Sequence, residues 1–164
     1  MVVIKVNNLE RAIRLRESGK ASEAMPILKD LLSNDANNPS ILYQCAWACD
    51  VQGLEREAVP YYEQALENGL IGHERENAFV GLGSTYRVIG EYAKSRSVFE
   101  KGMAEFPENK AIPVFLAMTL HNLNEHDLAM ETLLSVVAAT TRDKNIERYG
   151  KAIHFYKDKL NKTW

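Results

Sequence analysis

Cys45 and Cys49 stand one helical turn apart, a spacing at which two thiols could share a metal ion or exchange electrons. Neither chemistry is expected of them. A disulfide inside one helical turn works against the geometry that the bond requires, and no further Cys or His pair at zinc-ligand spacing completes a site. Free cysteines are among the most buried residue types, so this pair is expected to pack. The histidines His73, His121, His126 and His154 are dispersed along the chain and read as solvated or groove residues. The string Gly81-Leu-Gly83-Ser-Thr-Tyr86 looks like the opening of a glycine-rich phosphate loop. Such a loop needs a preceding strand, a following helix N-terminus and a third glycine, and Tyr86 stands where that glycine would be. Serine, histidine and acidic residues are plentiful, but no motif joins them into a catalytic arrangement. The expectation is no catalytic residue, no metal and no cofactor.

The elements that carry these residues explain them better. Gly19, Gly53, Gly90 and Asn124 occupy turns spaced by 34, 37 and 34 residues. Five residues after each comes Ala24, Ala58, Ser95 or Ala129, and four further on Leu28, Tyr62, Phe99 or Leu133. Before each turn, Ala12, Ala46, Gly83 and Ala117 recur where a small side chain lets a second helix approach closely. Leu15, Cys49, Tyr86 and Leu120 follow three residues later on the same face. A helix pair of this kind exposes apolar surface on both sides, so only stacking buries its core.

The third unit states the pattern most fully: Phe79, Leu82-Gly83, Tyr86, Gly90, Tyr92, Ser95, Phe99 and Pro107. It resembles the tetratricopeptide repeat family, with Ser95 in place of an alanine. The second unit matches through Leu42, Cys45-Ala46, Cys49, Gly53, Ala58, Tyr62 and Ala65. The first and fourth depart from it, with Asn8 and Pro113 in the aromatic position and Asn124 for the turn glycine, a mild change because Asn tolerates positive φ. The resemblance covers about residues 5 to 141 and is to small stand-alone bacterial proteins of this family. It implies an all-α, right-handed superhelix of four helix-turn-helix repeats, about 5–38, 39–73, 76–109 and 110–141, closed by a capping helix at about 143–162.

Composition fits such an array. The chain has 164 residues, 46% apolar and 26% charged, with a formal charge of -2. That charge argues against a nucleic-acid partner, which needs a concentrated positive field. No apolar run reaches the length of a membrane span. The apolar start, Met1 to Val6, is too short for a secretory signal and lacks a cleavage site, so a cytoplasmic location is expected.

In the family the first helices line a concave groove. Leu9 and Ile13 of unit one are expected there, with Tyr43, Gln44, Trp47, Asp50 and Val51 of unit two. Unit three offers Asn77, Val80, Ser84, Arg87 and Val88, and unit four Val114, Phe115, Met118, His121 and Asn122. Large aromatic and methionine side chains are the types enriched at protein interfaces. The alternative for Trp47 and Phe115 is that they tuck between helices. Family members that clamp the C-terminal tails of heat-shock proteins use lysine, asparagine and arginine at positions that here hold Leu9, Ile13, Tyr43 and Trp47. That clamp is not expected. An apolar or amphipathic peptide or helix is, with Arg87, Asp50 and Gln44 orienting it through rim hydrogen bonds.

Two segments stand apart. From Thr141 onward, Ile146, Tyr149, Ile153, Tyr156 and Leu160 form an apolar stripe along a helix of about five turns, with Asp143 the expected N-cap. This tail carries a net +4 against -6 for the rest of the chain. Phe155 and Trp164 lie off the stripe and could seat against the acidic body of a second copy. Residues 68–76 hold the excess spacing between units two and three. They are expected to form a looser turn, anchored by Leu70 and Ile71, and if the array flexes it is expected to flex there. The reading is a non-enzymatic protein-interaction module. Its alternatives are a structural homodimer and, more weakly, a sensor whose groove closes on a ligand.

Overall fold

The computed structural model describes residues 2–164, with side chains from Asn8 onward; the side chains of the apolar N-terminal stretch lie outside the described residues. The described residues form nine helices and no strand. They pair as α1 (Val2–Glu17) with α2 (Ala21–Asn34), α3 (Pro39–Asp50) with α4 (Glu55–Glu67), α5 (Gly72–Val88) with α6 (Tyr92–Glu105), and α7 (Ala111–Asn122) with α8 (His126–Thr140). Helix α9 (Lys144–Tyr156) follows. Each pair packs on the next, and the first helices α3, α5 and α7 lie side by side.

The turns show why the period holds. Gly19, Gly53, Gly90 and Asn124 all have positive φ, between 62° and 84°, a region that costs glycine nothing and asparagine little. Each closes its first helix with the same pair of backbone bonds. The residue after the turn donates back to Leu15, Cys49, Tyr86 or Leu120, and the turn residue itself to the carbonyl of Arg16, Asp50, Arg87 or His121. Side-chain caps are used more sparingly. Asn38 accepts from the Ile41 amide and Asp143 from those of Asn145 and Ile146. Pro113 falls in the first turn of α7, where its missing N–H costs nothing.

The small positions are contact points. Ala12, Ala46 and Ala117 are buried to 1% exposure or less, and a Cβ on Gly83 would fall 2.5 Å from the Phe99 ring. Ser95 earns its departure from alanine: its hydroxyl, fully buried, donates to the Gly83 carbonyl at 2.7 Å and meets Thr119 Oγ1 at 2.8 Å. The glycine-rich string lies inside α5, as a packing element. Cys45 and Cys49 are fully buried, and burial pushes their thiols up to about 12 and about 11, which keeps them protonated near neutrality.

Two expectations are corrected. The turn between units two and three is shorter than residues 68–76, because the extra residues lengthen α5, which begins at Gly72. Glu74 accepts from Ser40 and Gln44, Asn109 donates to Glu76, and Arg75 pairs with Glu105 and donates to the carbonyls of Leu66 and Leu70. These bonds tie the segment to both neighbouring units. Leu70 is buried as an anchor, but Ile71 is 80% exposed. The capping helix ends at Tyr156, short of residue 162, since Lys157 turns back onto α8 to meet Glu131 and Ser135, and Asn161 bonds Asp127. Only Ile146 and Ile153 of the stripe are half-buried; Tyr149, Tyr156 and Leu160 stay exposed. No helix of the described residues is long and apolar enough to cross a membrane.

Candidate peptide-binding face

Because each first helix is closed by the same turn, Arg16, Asp50, Arg87 and His121 occupy equivalent places in its last turn. Trp47, Ser84 and Met118 stand three residues before the last three of these, nearly one turn back. Two concavities form along this line.

The first, about 340 Å³, lies between α3 and α5 and is lined by Tyr43, Trp47, Asp50, Val51, Tyr62, Asn77, Val80 and Gly81. Tyr62 reaches it from α4 because Gly81 has no side chain; a Cβ there would lie 2.5 Å from the tyrosine ring and hydroxyl. Tyr43 packs against both Trp47 and Tyr62, with ring centroids at 5.6 and 6.2 Å. Burial, with the charge of Glu74, pushes the Tyr43 hydroxyl up to about 12, and burial with Asp50 pushes Tyr62 higher still. Both are neutral donors at any physiological pH. The Arg16 guanidinium lies over the Trp47 ring, 3.6 Å from its centroid.

At the base of this cup Tyr62 Oη donates to Asp50 Oδ2 at 2.8 Å. Thr85 Oγ1 stands 2.9 Å from Asp50 Oδ1 and 2.8 Å from the Gly81 carbonyl. The Thr85 hydroxyl is shared between the Asp50 carboxylate and the Gly81 carbonyl. Burial raises the Asp50 carboxyl above its ordinary value, against the pull of the hydrogen bonds from Tyr62 and Thr85. A raised acid contributes its full stability below the unfolded value of 3.8 and loses it as pH rises through the folded value. Asp50→Asn, whose amide can donate to Thr85 and accept from Tyr62, should therefore match or exceed the parent's thermal midpoint at pH 7 and hold no advantage at pH 3. Asp50→Ala strands the buried Tyr62 hydroxyl and should cost about 1–3 kcal/mol at both. Thermal melts at the two pH values check this; a destabilised Asp50→Asn at pH 7 would show that the carboxylate is needed.

The second concavity, about 560 Å³, is lined by Arg87, Ala117, Met118, His121, Asn122, His126, Ala129, Met130 and Leu133. Arg87 donates to Asn122 Oδ1 at 3.4 Å. His121 and His126, five residues apart across the turn, bring their rings to 4.7 Å. Among the described residues no three His, Cys, Asp or Glu side chains are grouped to hold a metal ion.

The expected groove residues thus divide. Tyr43, Trp47, Asp50 and Asn77 meet in the first cup, and Arg87, Met118, His121 and Asn122 in the second. Gln44 is not at the rim: it is 4% exposed and donates to Glu74 at 2.9 Å, drawn in by the N-terminal extension of α5. Asp50 turns its carboxyl inward rather than to the rim. Phe115 is half-buried and stacks on Phe99, with centroids at 6.3 Å, and lines neither cup. Ser84 is half-buried and lines neither cup. Phe155 and Trp164 stack on one another at 6.0 Å and are 49% and 83% exposed. Arg16 escaped the sequence reading, although its spacing of 34 from Asp50 marks it. Tyr62, His126 and Met130 come from second helices, which the register assigns to packing.

A stack of helix pairs with repeated positive-φ turns, small contact residues and a lined inner face defines a helical-repeat scaffold. A family model described as the tetratrico peptide repeat matches residues 39–160, and the chain belongs to that family. No curated protein sequence matches it significantly. Among solved structures it is similar to a MamA fragment from Desulfovibrio magneticus RS-1, with 19% identity over 96% of this chain and 87% of that one, at a TM-score of 0.75. YrrB, described as a TPR protein with an unusual peptide-binding site, shares 16% identity over 93% of this chain and 77% of its own, at a TM-score of 0.72. At these identities the likeness shows the fold: an all-α right-handed superhelix.

Proposed function

We propose that the chain is a non-enzymatic protein-interaction module whose concave face takes an apolar or amphipathic peptide or helix. The observation that carries this reading is the first cup, where tyrosine, tryptophan and valine side chains surround a space of about 340 Å³ open to solvent. Such a space suits one large apolar anchor, and the methionine-lined second cup suits another. YrrB's peptide-binding site lends the reading support by likeness of fold. Selection of a phage-displayed random dodecapeptide library on the full chain tests it. Sequences with two apolar anchors are expected, with binding lost in Trp47→Ala and weakened in Met118→Ala while circular dichroism stays unchanged. Phe115→Ala should leave recognition intact and act on stability instead. An empty selection, or binding indifferent to Trp47→Ala, would overturn the groove.

A second reading, a homodimer, is favoured by the exposed Phe155–Trp164 stack on a tail of net +4 facing a body of net -6. Light scattering across a range of concentrations, on the full chain and on one ending at Thr141, decides it. A dimer that becomes a folded monomer on truncation supports self-association through the tail; a monomer throughout removes it.

A further inference from the structure

The second concavity carries a pattern of its own, arranged on both sides of the turn in unit four. His121 lies in the last turn of α7 and His126 opens α8. The turn between them is fixed by the positive φ of Asn124 and by backbone bonds from the Asn124 and Glu125 amides to the His121 and Leu120 carbonyls. Met118 stands three residues before His121 and Met130 four after His126, so each methionine shares a helix face with its histidine. All four side chains line the same space of about 560 Å³. The two rings are exposed, with centroids 4.7 Å apart, and among the described residues neither imidazole is engaged in a hydrogen bond. Met118 and Met130 are exposed as well.

We propose that Met118, His121, His126 and Met130 bind a soft monovalent metal cation, Cu(I), at the turn of unit four. Two imidazoles that share one ion through a nitrogen each, at about 2.0–2.1 Å, have ring centres roughly 4.5–5.2 Å apart for bond angles from a right angle to tetrahedral. The spacing of the His121 and His126 rings falls in that interval. Rotation of the exposed side chains between staggered torsions aims the nitrogens at the ion. No third His, Cys, Asp or Glu is grouped with the pair among the described residues, so the two thioethers complete the donor set. Thioethers select Cu(I), and the carboxylates that magnesium, calcium and manganese favour do not line this space. All four donors are neutral and Arg87 adds a positive charge to the same wall, which repels a divalent ion more than a monovalent one. The site goes beyond the peptide-binding reading and does not depend on it.

The test is an anaerobic titration of the full chain, carrying carbon-13 in its methionine methyl groups, with Cu(I) kept reduced by ascorbate and no peptide present. One equivalent is expected to shift the Met118 and Met130 methyl signals and to leave those of Met25 and Met103 in place; Zn(II) should shift them less. This comparison requires no variant to fold. His126→Gln and Met130→Leu, both at exposed positions, should each weaken Cu(I) about tenfold or more against a competing chelator with circular dichroism unchanged, since even a lost outer-shell partner costs about that much. No shift at Met118 and Met130 overturns the site, as does a His126→Gln chain that binds as tightly as the parent. Zn(II) shifts equal to those of Cu(I) also overturn it, because the thioethers would then not select the ion. Met25 packs against the core that holds Cys45, so a shift confined to its methyl would assign the ion to the buried thiols and overturn the proposal. Each of these failures leaves the groove reading standing, and an empty peptide selection leaves the metal site standing.

Discussion

Phe99→Ala is expected to lower the unfolding free energy by about 3–5 kcal/mol, the range for emptying a buried phenylalanine site. Phe99 is fully buried at the junction of units three and four. It fills the space left by Gly83, stacks on Phe115 and shares a core with Ile112, Leu116 and Leu120. In a stacked array each unit depends on its neighbours, so the loss should also divide the molecule thermodynamically. Unfolding in urea, followed by circular dichroism and by Trp47 fluorescence in a Trp164→Phe background, should cease to coincide, with unit two persisting after units three and four have melted. Coincident curves displaced by less than about 1 kcal/mol would show that the Phe99 site collapses around the smaller side chain.

Gly83→Val should cost about 3 kcal/mol for the converse reason. A Cβ at this position meets the Phe99 ring at 2.5 Å, closer than atoms pack, and the ring cannot retreat because it is enclosed on every side. Overpacking of this kind forces side chains off their rotamers or moves α5 away from α6. Alanine should be milder, since its better helix propensity offsets part of the clash by about 1 kcal/mol. The two changes act on one space and should not add: Gly83→Val with Phe99→Ala should be less destabilised than the sum of the single variants by about 1 kcal/mol or more. Additive losses, read from the same urea curves, would mean that the two sites do not share that space.

These effects bear on the inner face because α5 walls the first cup and contributes Arg87 to the second. Gly81 and Gly83, two residues apart, admit Tyr62 on one side and Phe99 on the other. The string that resembles a phosphate loop is thus the place where α5 takes the aromatic side chains of both neighbouring second helices. Gly81 lets Tyr62 reach Asp50, so the chemistry of the cup depends on a packing detail.

Much of this was legible beforehand. The turn residues, the small contact positions and the N-cap at Asp143 all follow from relations within a single helix pair. Such relations hold wherever the chain places the pair, because a positive φ or a close helix approach restricts residue type locally. The register also offered candidates on α3, α5 and α7 for the inner face. What it could not settle was the fate of each side chain once neighbouring units arrived. Gln44 is turned inward by Glu74, thirty residues on; Asp50 is engaged by Tyr62 and Thr85; Phe115 lies against Phe99. Arg16, a charged residue near the end of a surface helix by its pattern, is buried because Trp47 of the next unit lies under it. Helix α9 stops at Tyr156 because bonds to Asp127, Glu131 and Ser135 hold the following residues against α8. The repeat and its turns were written locally and could be read from the sequence alone. Which polar groups found which partners depended on contacts between units and was decided only when they stacked.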